Sequence, residues 1–285
     1  MKIIRFLGGL GNQMFQYAFY KAMKEKYPNV LVDLASYKTD RSHNGYELEK
    51  LFDLTLKKAN SFSARIYNIE NQKKLHKTIS NIFNLSRYYE EEKKYYSFDP
   101  KVFADNKKRY YYGFWQNQQY FLTLEKEIRK DFIFKPLTDP KNITILDKIN
   151  YTNSISIHIR RGDYVNHPSF GGICEQEYYQ KAIRYIKGCI ENPSYFIFSN
   201  DIDWCIENLH MEDAEFISWN TGKSSYIDMQ LMSSCKHNII ANSSFSWWAA
   251  WLNNHPDKIV IGPERWLQDE EFDTSTLMPT SWIRL

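Results

Sequence analysis

The sequence of 285 residues lacks any long, uninterrupted apolar run. Its first apolar stretch, residues 3–7, is too short for the core of a secretion signal and far shorter than a membrane span, which needs about 20 residues. Cysteine is also scarce: Cys174, Cys189, Cys205 and Cys235 form no C-x-x-C pair. Without an export signal, we expect these thiols to be free and mostly buried, and the protein to be cytoplasmic.

A strong excess of charge of either sign is absent as well. The net charge is +3, which is too small to indicate a nucleic-acid partner. The exception is residues 57–87, where seven Lys or Arg accompany the single acid Glu70. A solvated basic surface is the simpler interpretation. The alternative is that the basic 57–94 region contacts anionic lipid headgroups, peripheral to the inner face of the cytoplasmic membrane.

The sequence does contain a regular alternation of apolar strands and amphipathic helices. The first half predicts strands at residues 3–7, 30–34 and 110–114 and helices at 12–27 and 117–131. The second half predicts strands at 154–159, 195–198, 215–217, 238–241 and 258–261, and helices at 176–191, 224–234 and 243–253. This alternation indicates parallel sheets covered on both faces. With a linker at 136–140, we expect an α/β fold of two Rossmann-like domains, residues 1–140 and 141–285, facing across a cleft.

The Gly-Leu-Gly motif at residues 9–11 follows a strand and precedes a helix. With Asp33 at the end of the next strand, it imitates a dinucleotide-binding fingerprint. Met14, however, occupies the third glycine position, where its bulk would obstruct close packing of helix on strand. A nicotinamide-dependent oxidoreductase is therefore the weaker interpretation. The turn still exposes helix N–H groups beside Asn12, where a small ligand could bind.

The strongest local signal is H-I-R-R-G-D at residues 158–163, at the end of an apolar strand. Arginine offers a planar fork that matches phosphate oxygens, so an arginine here is suited to hold a diphosphate. Because side chains alternate along a strand, His158 and Arg160 leave the same face and Arg161 the opposite one. We expect Arg160 to face the ligand and Arg161 to pair with a carboxylate.

Two further segments follow strands in the same way. Residues 241–245, A-N-S-S-F, place Ser243 and Ser244 at a helix start, where capping and free N–H groups make an anion site. Asp201 ends the S-N-D segment at 199–201, which is either a ligand contact or an Asx turn. With Asp203 it forms a D-x-D pattern, but an arginine and a helix N-terminus would neutralise a diphosphate without an ion. We therefore predict no metal site.

These segments together resemble a known family. G-G-L-G-N-Q-M-F-Q-Y-A-F (8–19), H-I-R-R-G-D-Y-V (158–165), F-I-F-S-N-D (196–201) and A-N-S-S-F-S-W-W-A-A-W-L-N (241–253) resemble bacterial α-1,2-fucosyltransferases of glycosyltransferase family 11. The resemblance covers nearly the whole chain and is weakest at residues 57–95. It implies a GT-B architecture, no metal or other cofactor, and inverting transfer of L-fucose from GDP-β-L-fucose to the 2-hydroxyl of a β-galactoside acceptor.

More distant fucosyltransferases share a His-x-Arg pattern and an Asp sixteen residues before a Ser, a spacing that Asp228 and Ser244 keep. By this similarity His158 and Asp228 would contact guanine, and Arg160 and Ser244 the β-phosphate. Asn12 would lie near the anomeric carbon.

The predicted roles can now be stated together. The catalytic residues are Arg160, Asp163 and Asn12. The substrate-binding residues are His158, Asp201, Asp228, Ser243, Ser244 and Phe245. The general base stays open among Asp163, His167 and Glu175. We expect residues 1–140 to serve the acceptor and 141–285 to bind GDP-fucose. A fucosyltransferase of another linkage and a non-catalytic sugar-binding module are the alternatives.

Overall fold

The computed structural model describes residues 1–39, 43–68, 74–92, 95–211 and 213–285. Part of the basic 57–94 region, residues 69–73 and 93–94, therefore lies outside the described residues. The chain forms two compact units. Unit 1 comprises Met1–Ile133 with Ser275–Leu277, and unit 2 comprises Phe134–Thr274 with Met278–Leu285. In the described ranges, no helix has both the length and the apolar character needed to cross a bilayer.

Unit 1 is built on a four-stranded parallel sheet. Its strands are β1 (Lys2–Arg5), β2 (Val30–Asp33), β3 (Tyr89–Glu91) and β4 (Arg109–Tyr112), and its helices are α1 (Leu10–Lys26), α2 (Leu48–Leu51), α3 (Ser61–Tyr67), α4 (Lys74–Ile82) and α5 (Glu125–Asp131). The strand order is β2-β1-β4-β3, with every neighbouring pair parallel. The connections from β1 to β2 and from β3 to β4 therefore step across the sheet in the same direction, and the chain crosses from one edge to the other between β2 and β3.

Packing and side-chain bonds explain where unit 1 follows the prediction and where it departs. The helix predicted at 12–27 is present because α1 buries Met14 and Phe19, and Phe19 stacks on Trp115 at 4.2 Å between ring centroids. The helix predicted at 117–131 is wrong in its first half, which forms two short 3₁₀ turns. The buried Asn117 imposes this geometry by donating to the carbonyl of Tyr96 and accepting from the N–H of Gln119, both at 2.9 Å.

Unit 2 is a six-stranded parallel sheet with helices between the strands. Its strands are β5 (Asn153–Ile159), β6 (Pro193–Ser199), β7 (Glu215–Ile217), β8 (His237–Ile239), β9 (Val260–Gly262) and β10 (Ile283–Arg284), and its helices are α6 (Pro140–Tyr151), α7 (Gln176–Cys189), α8 (Ile202–Leu209), α9 (Tyr226–Ser234) and α10 (Ser244–Leu252). The order β10-β9-β8-β5-β6-β7 is that of a Rossmann sheet. The chain builds outward from β5 to β7 and then returns to β8.

The first helix of unit 2 replaces much of the predicted linker. Asp139 accepts the N–H of Asn142 at 3.1 Å, and Pro140 occupies the first helical position. An N-cap aspartate followed by proline is a helix-start signal. The sequence interpretation used the two prolines at 136 and 140 as a break and so missed α6.

Candidate active site

The site is built at the carboxyl ends of β5 and β8. These strands are parallel neighbours, so the chain leaves both at the same edge of the sheet. They are also the two strands between which the order reverses. In open α/β sheets, ligands bind outside the carboxyl ends of the strands at this reversal. The 158–163 and 241–245 segments, chosen from sequence separately, therefore meet at the position where a ligand is expected.

Arg160 lies at the centre of this edge. Its guanidinium is 5.5 Å from the ring centroid of Tyr164, and Nη2 is 2.8 Å from Oδ1 of Asp163. The side chain of Tyr164 lies next to that of Ser243, the N-cap of α10. Tyr164, which the sequence analysis missed, thus connects the arginine to the helix N-terminus. With 31% of its side chain exposed, Arg160 can reach a ligand.

Arg161 has a different environment. Its Nε lies 3.2 Å from Asp201 and its Nη1 3.5 Å from Glu175, and the guanidinium stacks on Trp204 at 4.1 Å from the ring centroid. Its side chain is only 15% exposed. The predicted pairing of Arg161 with a carboxylate is confirmed. Asp201 also caps α8 by accepting the N–H of Trp204, so its substrate role stays a prediction.

Asn200 supports the segment that carries Arg161 and Gly162. Its Oδ1 accepts the N–H of Arg161 at 3.0 Å. A Cβ added to Gly162 would lie 2.2 Å from Nδ2 of Asn200, so a side chain at residue 162 would push the two segments apart. Sequence reasoning did not identify this support, although Asn200 stood in a selected motif.

His158 lies beneath the site and is neutral. Burial, with the adjacent Arg160, lowers the pKa of its imidazole to about 3. Its ring is 5.6 Å from that of Phe245, whose N–H donates to Oγ of Ser243 at 3.3 Å. Ser244 is the first residue of α10. The structure thus brings His158, Arg160, Asp163, Ser243 and Phe245 into one connected group.

A pocket next to this group reveals a further polar residue. Asn242 lines it together with Arg160, Tyr164 and Phe170. Its Nδ2 donates to the carbonyls of Phe170 and Trp266, while its buried Oδ1 has no hydrogen-bond partner among the described residues. This oxygen is an unsatisfied acceptor in a residue that lines the pocket. The only sequence signal was its place in the 241–253 motif.

Asp228 lies at the same carboxyl edge of the sheet but in a separate hydrogen-bond network. It occupies the first turn of α9, which follows β7 and so begins at the carboxyl edge. Its Oδ1 accepts from Nδ2 of Asn220 at 2.8 Å, and Asn220 is bonded in turn to Asn142. Burial outweighs the bond from Asn220 and raises the pKa of the carboxyl to about 7. Among the described residues, no hydrogen bond joins Asp228 to His158.

Asn12 lies in the first turn of α1, at the carboxyl end of β1. Its Oδ1 accepts from Nε2 of Gln116 at 2.7 Å. Gln116 follows β4 and Asn12 follows β1, so the bond joins the segments that leave two neighbouring strands. Gly8 has a φ of +78°, and a Cβ there would lie 2.5 Å from Nδ2 of Asn12. Only glycine allows the amide to fold back over the turn.

The dinucleotide interpretation of this loop is wrong. Asp33, the residue that would bind a ribose, is 5% exposed. Its Oδ1 accepts the N–H of Ala35 at 2.9 Å, and its Oδ2 accepts the hydroxyl of Tyr110 at 2.7 Å. Both oxygens serve the fold of unit 1, so neither is available to a nicotinamide nucleotide.

A family model described as Glycosyl transferase family 11 matches residues 1–285. The chain belongs to this family. Alpha-1,2-colitosyltransferase of Escherichia coli is 37% identical over 301 aligned positions, which cover 99% of this chain and 98% of that protein. The O-antigen biosynthesis glycosyltransferase WbnK of Escherichia coli is 35% identical over 98% of both chains. The resemblance inferred from the motifs is confirmed, and the protein is a glycosyltransferase rather than a non-catalytic sugar-binding module.

A solved structure agrees with the predicted architecture. The NodZ alpha-1,6-fucosyltransferase soaked with GDP-fucose aligns with a TM-score of 0.50 at 14% identity, covering 88% of this chain and 92% of that one. This likeness concerns the fold alone. With two parallel α/β units, it confirms the predicted GT-B-like fold with two Rossmann-like domains.

The three candidate bases of this family 11 enzyme all interact with other residues of the chain. Asp163 pairs with Arg160, and Glu175 with Arg161. Nδ1 of His167 accepts the N–H of Ser169 at 3.1 Å.

Within the described ranges, no three His, Cys, Asp or Glu side chains are grouped as metal ligands.

Glu92 is a buried carboxyl that the sequence analysis did not select. Its Oε2 accepts the N–H groups of Phe114 and Trp115 at 2.7 and 3.0 Å, while Oε1 has no hydrogen-bond partner among the described residues. A Cβ on Gly113 would lie 2.5 Å from Cβ of Glu92. Glu92 thus holds the loop that ends in Gln116 and so indirectly fixes Asn12. Burial raises its pKa to about 7, despite the two backbone donors.

This pKa gives a testable pH dependence of stability. In the folded protein Glu92 keeps its proton up to a higher pH than in the unfolded chain, where the carboxyl titrates near pH 4.5. Its contribution to the free energy of unfolding is therefore complete below pH 4.5 and is lost as the pH rises through about 7. The loss amounts to up to about 3 kcal/mol. We expect Glu92→Gln, which keeps the accepting oxygen, to flatten the urea-unfolding free energy over this pH window. The exposed neighbour variant Glu91→Gln should retain the slope, and an equal slope in both variants would contradict the assignment.

Proposed function

We propose that this enzyme transfers L-fucose from GDP-β-L-fucose to the 2-hydroxyl of a β-galactoside, with inversion and without a metal ion. The observation that carries the proposal is the position of Arg160, above Tyr164 and beside the N-terminus of α10 at the reversal point of unit 2. That edge offers fixed positive charge to a diphosphate. The linkage draws on the 1,2-specific name of the colitosyl relative, and the donor on the family resemblance.

The leaving group explains this arrangement chemically. As the acceptor hydroxyl attacks the anomeric carbon from the face opposite GDP, negative charge grows on the β-phosphate. The guanidinium of Arg160 and the N-terminus of α10 after Ser243 are held in place before the reaction, so they stabilise that charge without reorganising. The Ser244 hydroxyl adds a further donor. Asp163 fixes the guanidinium through its ion pair, which favours a positioning role for it over proton transfer.

Nucleotide selection follows from the two residues assigned to guanine. Guanine presents N1–H and the 2-amino group as neighbouring donors, and an ionised Asp228 can accept both. Adenine lacks this pair of donors, so the carboxylate would stay unsatisfied. His158 remains neutral over the whole physiological range because its pKa is lowered to about 3. It therefore adds a hydrogen bond without a competing charge.

The acceptor side is assigned to unit 1. Asn12, bonded to Gln116, presents an amide above the glycine turn. An amide does not take up a proton at neutral pH, so its proposed role is to orient the attacking hydroxyl and the sugar ring. Proton removal comes late in such a displacement, and a base contributes roughly 10²–10⁴-fold.

The decisive experiment is a transfer assay with GDP-fucose and lactose, followed by linkage analysis of the product. We expect fucose on the galactose 2-hydroxyl, and no product from lactose that lacks this hydroxyl. Fucose at another position would overturn the linkage. Turnover with UDP- or ADP-linked sugars but not GDP-linked sugars would overturn the donor assignment.

A colitosyl donor is the second candidate, favoured by the 37% identical colitosyltransferase. Colitose is L-fucose without its 3-hydroxyl, so both sugars require the same contacts at the diphosphate. GDP-fucose and GDP-colitose should be compared in one assay by their kcat/KM values. If a buried polar group of the enzyme forms a hydrogen bond with the 3-hydroxyl of fucose, the kcat/KM for the deoxy sugar should be at least 10-fold lower.

Metal independence is a separate prediction, because Asp201 and Asp203 imitate a metal-binding pattern. Asp201 already pairs with Arg161 and caps α8. We expect transfer in excess EDTA to proceed at the rate measured without it. Loss of activity that manganese or magnesium restores would contradict this and make the two aspartates candidate ligands.

A further inference from the structure

The first observation is a concentration of exposed apolar side chains on and beside α3 and α4 of unit 1. Of the twelve large apolar side chains that the described residues expose, four lie between residues 62 and 83. They are Phe62 on α3, Leu75 and Ile82 on α4, and Phe83 directly after it, with exposed fractions of 53%, 65%, 71% and 64%. In a soluble protein, apolar residues are normally exposed singly, and a cluster marks an interaction surface.

Helix α4 has three distinct faces. His76 and Ser80, four residues apart, form the buried face, which packs on the rest of unit 1. The ring of His76 lies 5.5 Å from that of Phe62. Leu75 and Ile82 lie seven residues apart and therefore share a second face, which is apolar and exposed. The remaining surface is polar. A helix that already packs with one face has no folding reason to keep a second apolar face in water.

The charged side chains of α4 are both positive. Lys74 and Lys77 are exposed on α4, and Lys57 is exposed before α3. Among the described residues, neither lysine of α4 forms an ion pair. The sequence from 57 to 88 contains one acid, Glu70, which lies outside the described residues. A helix is about 10–12 Å across, so cations on α4 lie within about one Debye length of any surface that the helix touches.

We propose that α3 and α4 dock unit 1 on an anionic lipid surface, with Phe62, Leu75, Ile82 and Phe83 entering the headgroup boundary. An exposed apolar face with lysines on the same helix matches the chemistry of an interfacial helix. None of the four residues is among those assigned to the sugar-transfer site. This docking would place the enzyme at a membrane, where saccharides attached to lipid carriers are located.

The test is binding of the full chain to vesicles by flotation. Phosphatidylcholine mixed with phosphatidylglycerol should bind the protein, and phosphatidylcholine alone should bind it far more weakly. Ile82→Asp should weaken binding to the mixed vesicles by roughly 10-fold or more. Lys74→Glu should weaken it by at least about 5-fold, with less loss at high salt.

Matched variants in unit 2 control for general effects. Ile206→Asp replaces an isoleucine that is 53% exposed on α8, and Lys223→Glu reverses an exposed lysine. Both should bind vesicles as the unmodified chain does, and circular dichroism should show all four variants folded. Equal binding to neutral and anionic vesicles, or equal binding by Ile82→Asp and Ile206→Asp, would overturn the proposal. So would a dimer in sedimentation velocity that only Ile82→Asp dissociates, since the face would then cover a second copy.

Discussion

Replacing Arg160 by lysine is expected to slow turnover at saturating GDP-fucose by roughly 10²–10³-fold. Lysine keeps the charge but loses the planar fork that matches two phosphate oxygens. Because charge on the β-phosphate grows toward the transition state, turnover should fall further than GDP affinity. Steady-state kinetics and calorimetry with GDP, on a variant shown to be folded, would measure the two effects separately.

Arg161→Lys is the matched control, since it makes the same change one residue away. Arg161 joins Asp201, Glu175 and Trp204 and is largely covered. We expect this variant to keep most of its turnover and to lose melting temperature, about 2–4 °C for each kcal/mol of stability lost. A folded Arg161→Lys variant without turnover, beside an active Arg160→Lys variant, would require the two roles to be exchanged.

The second large effect concerns Asp228. Asp228→Asn should weaken GDP binding by about 1–3 kcal/mol, because guanine's two donors lose a charged acceptor. The raised pKa of about 7 adds a pH signature. In the proposed binding mode guanine requires the ionised carboxylate, so affinity should be highest above pH 7 and fall by up to about 10-fold per pH unit below it. The asparagine variant lacks this titration.

The measurement is the GDP dissociation constant from pH 5.5 to 8.5, compared between the two proteins. Titration of the nucleotide's own phosphate is common to both, so their difference isolates Asp228. Asp203→Asn, which changes an exposed aspartate on α8, should reproduce the original profile. Unchanged GDP affinity in Asp228→Asn at pH 8 would remove Asp228 from the nucleotide site.

Most elements of unit 2 could be predicted because their signals are local. An apolar run that stops at charged residues predicted β5 and the position of Arg160 directly after it. Adjacent serines before an aromatic run predicted the start of α10. The same reasoning failed where a side chain bonds across the fold. Asn117 is bound to Tyr96 and Thr276, and no pattern around residue 117 indicates partners so far along the chain.

By itself, the sequence determined the family, the α/β alternation and the residues that follow each strand, because periodicity, capping and motif spacing depend on near neighbours in the chain. Only the tertiary structure decided that β5 lies beside β8, so that Arg160 and Ser243 share one edge. It also decided the burial that shifts the pKa values of Asp228 and Glu92. Strand pairing and desolvation depend on contacts between residues far apart in sequence, which no local pattern records.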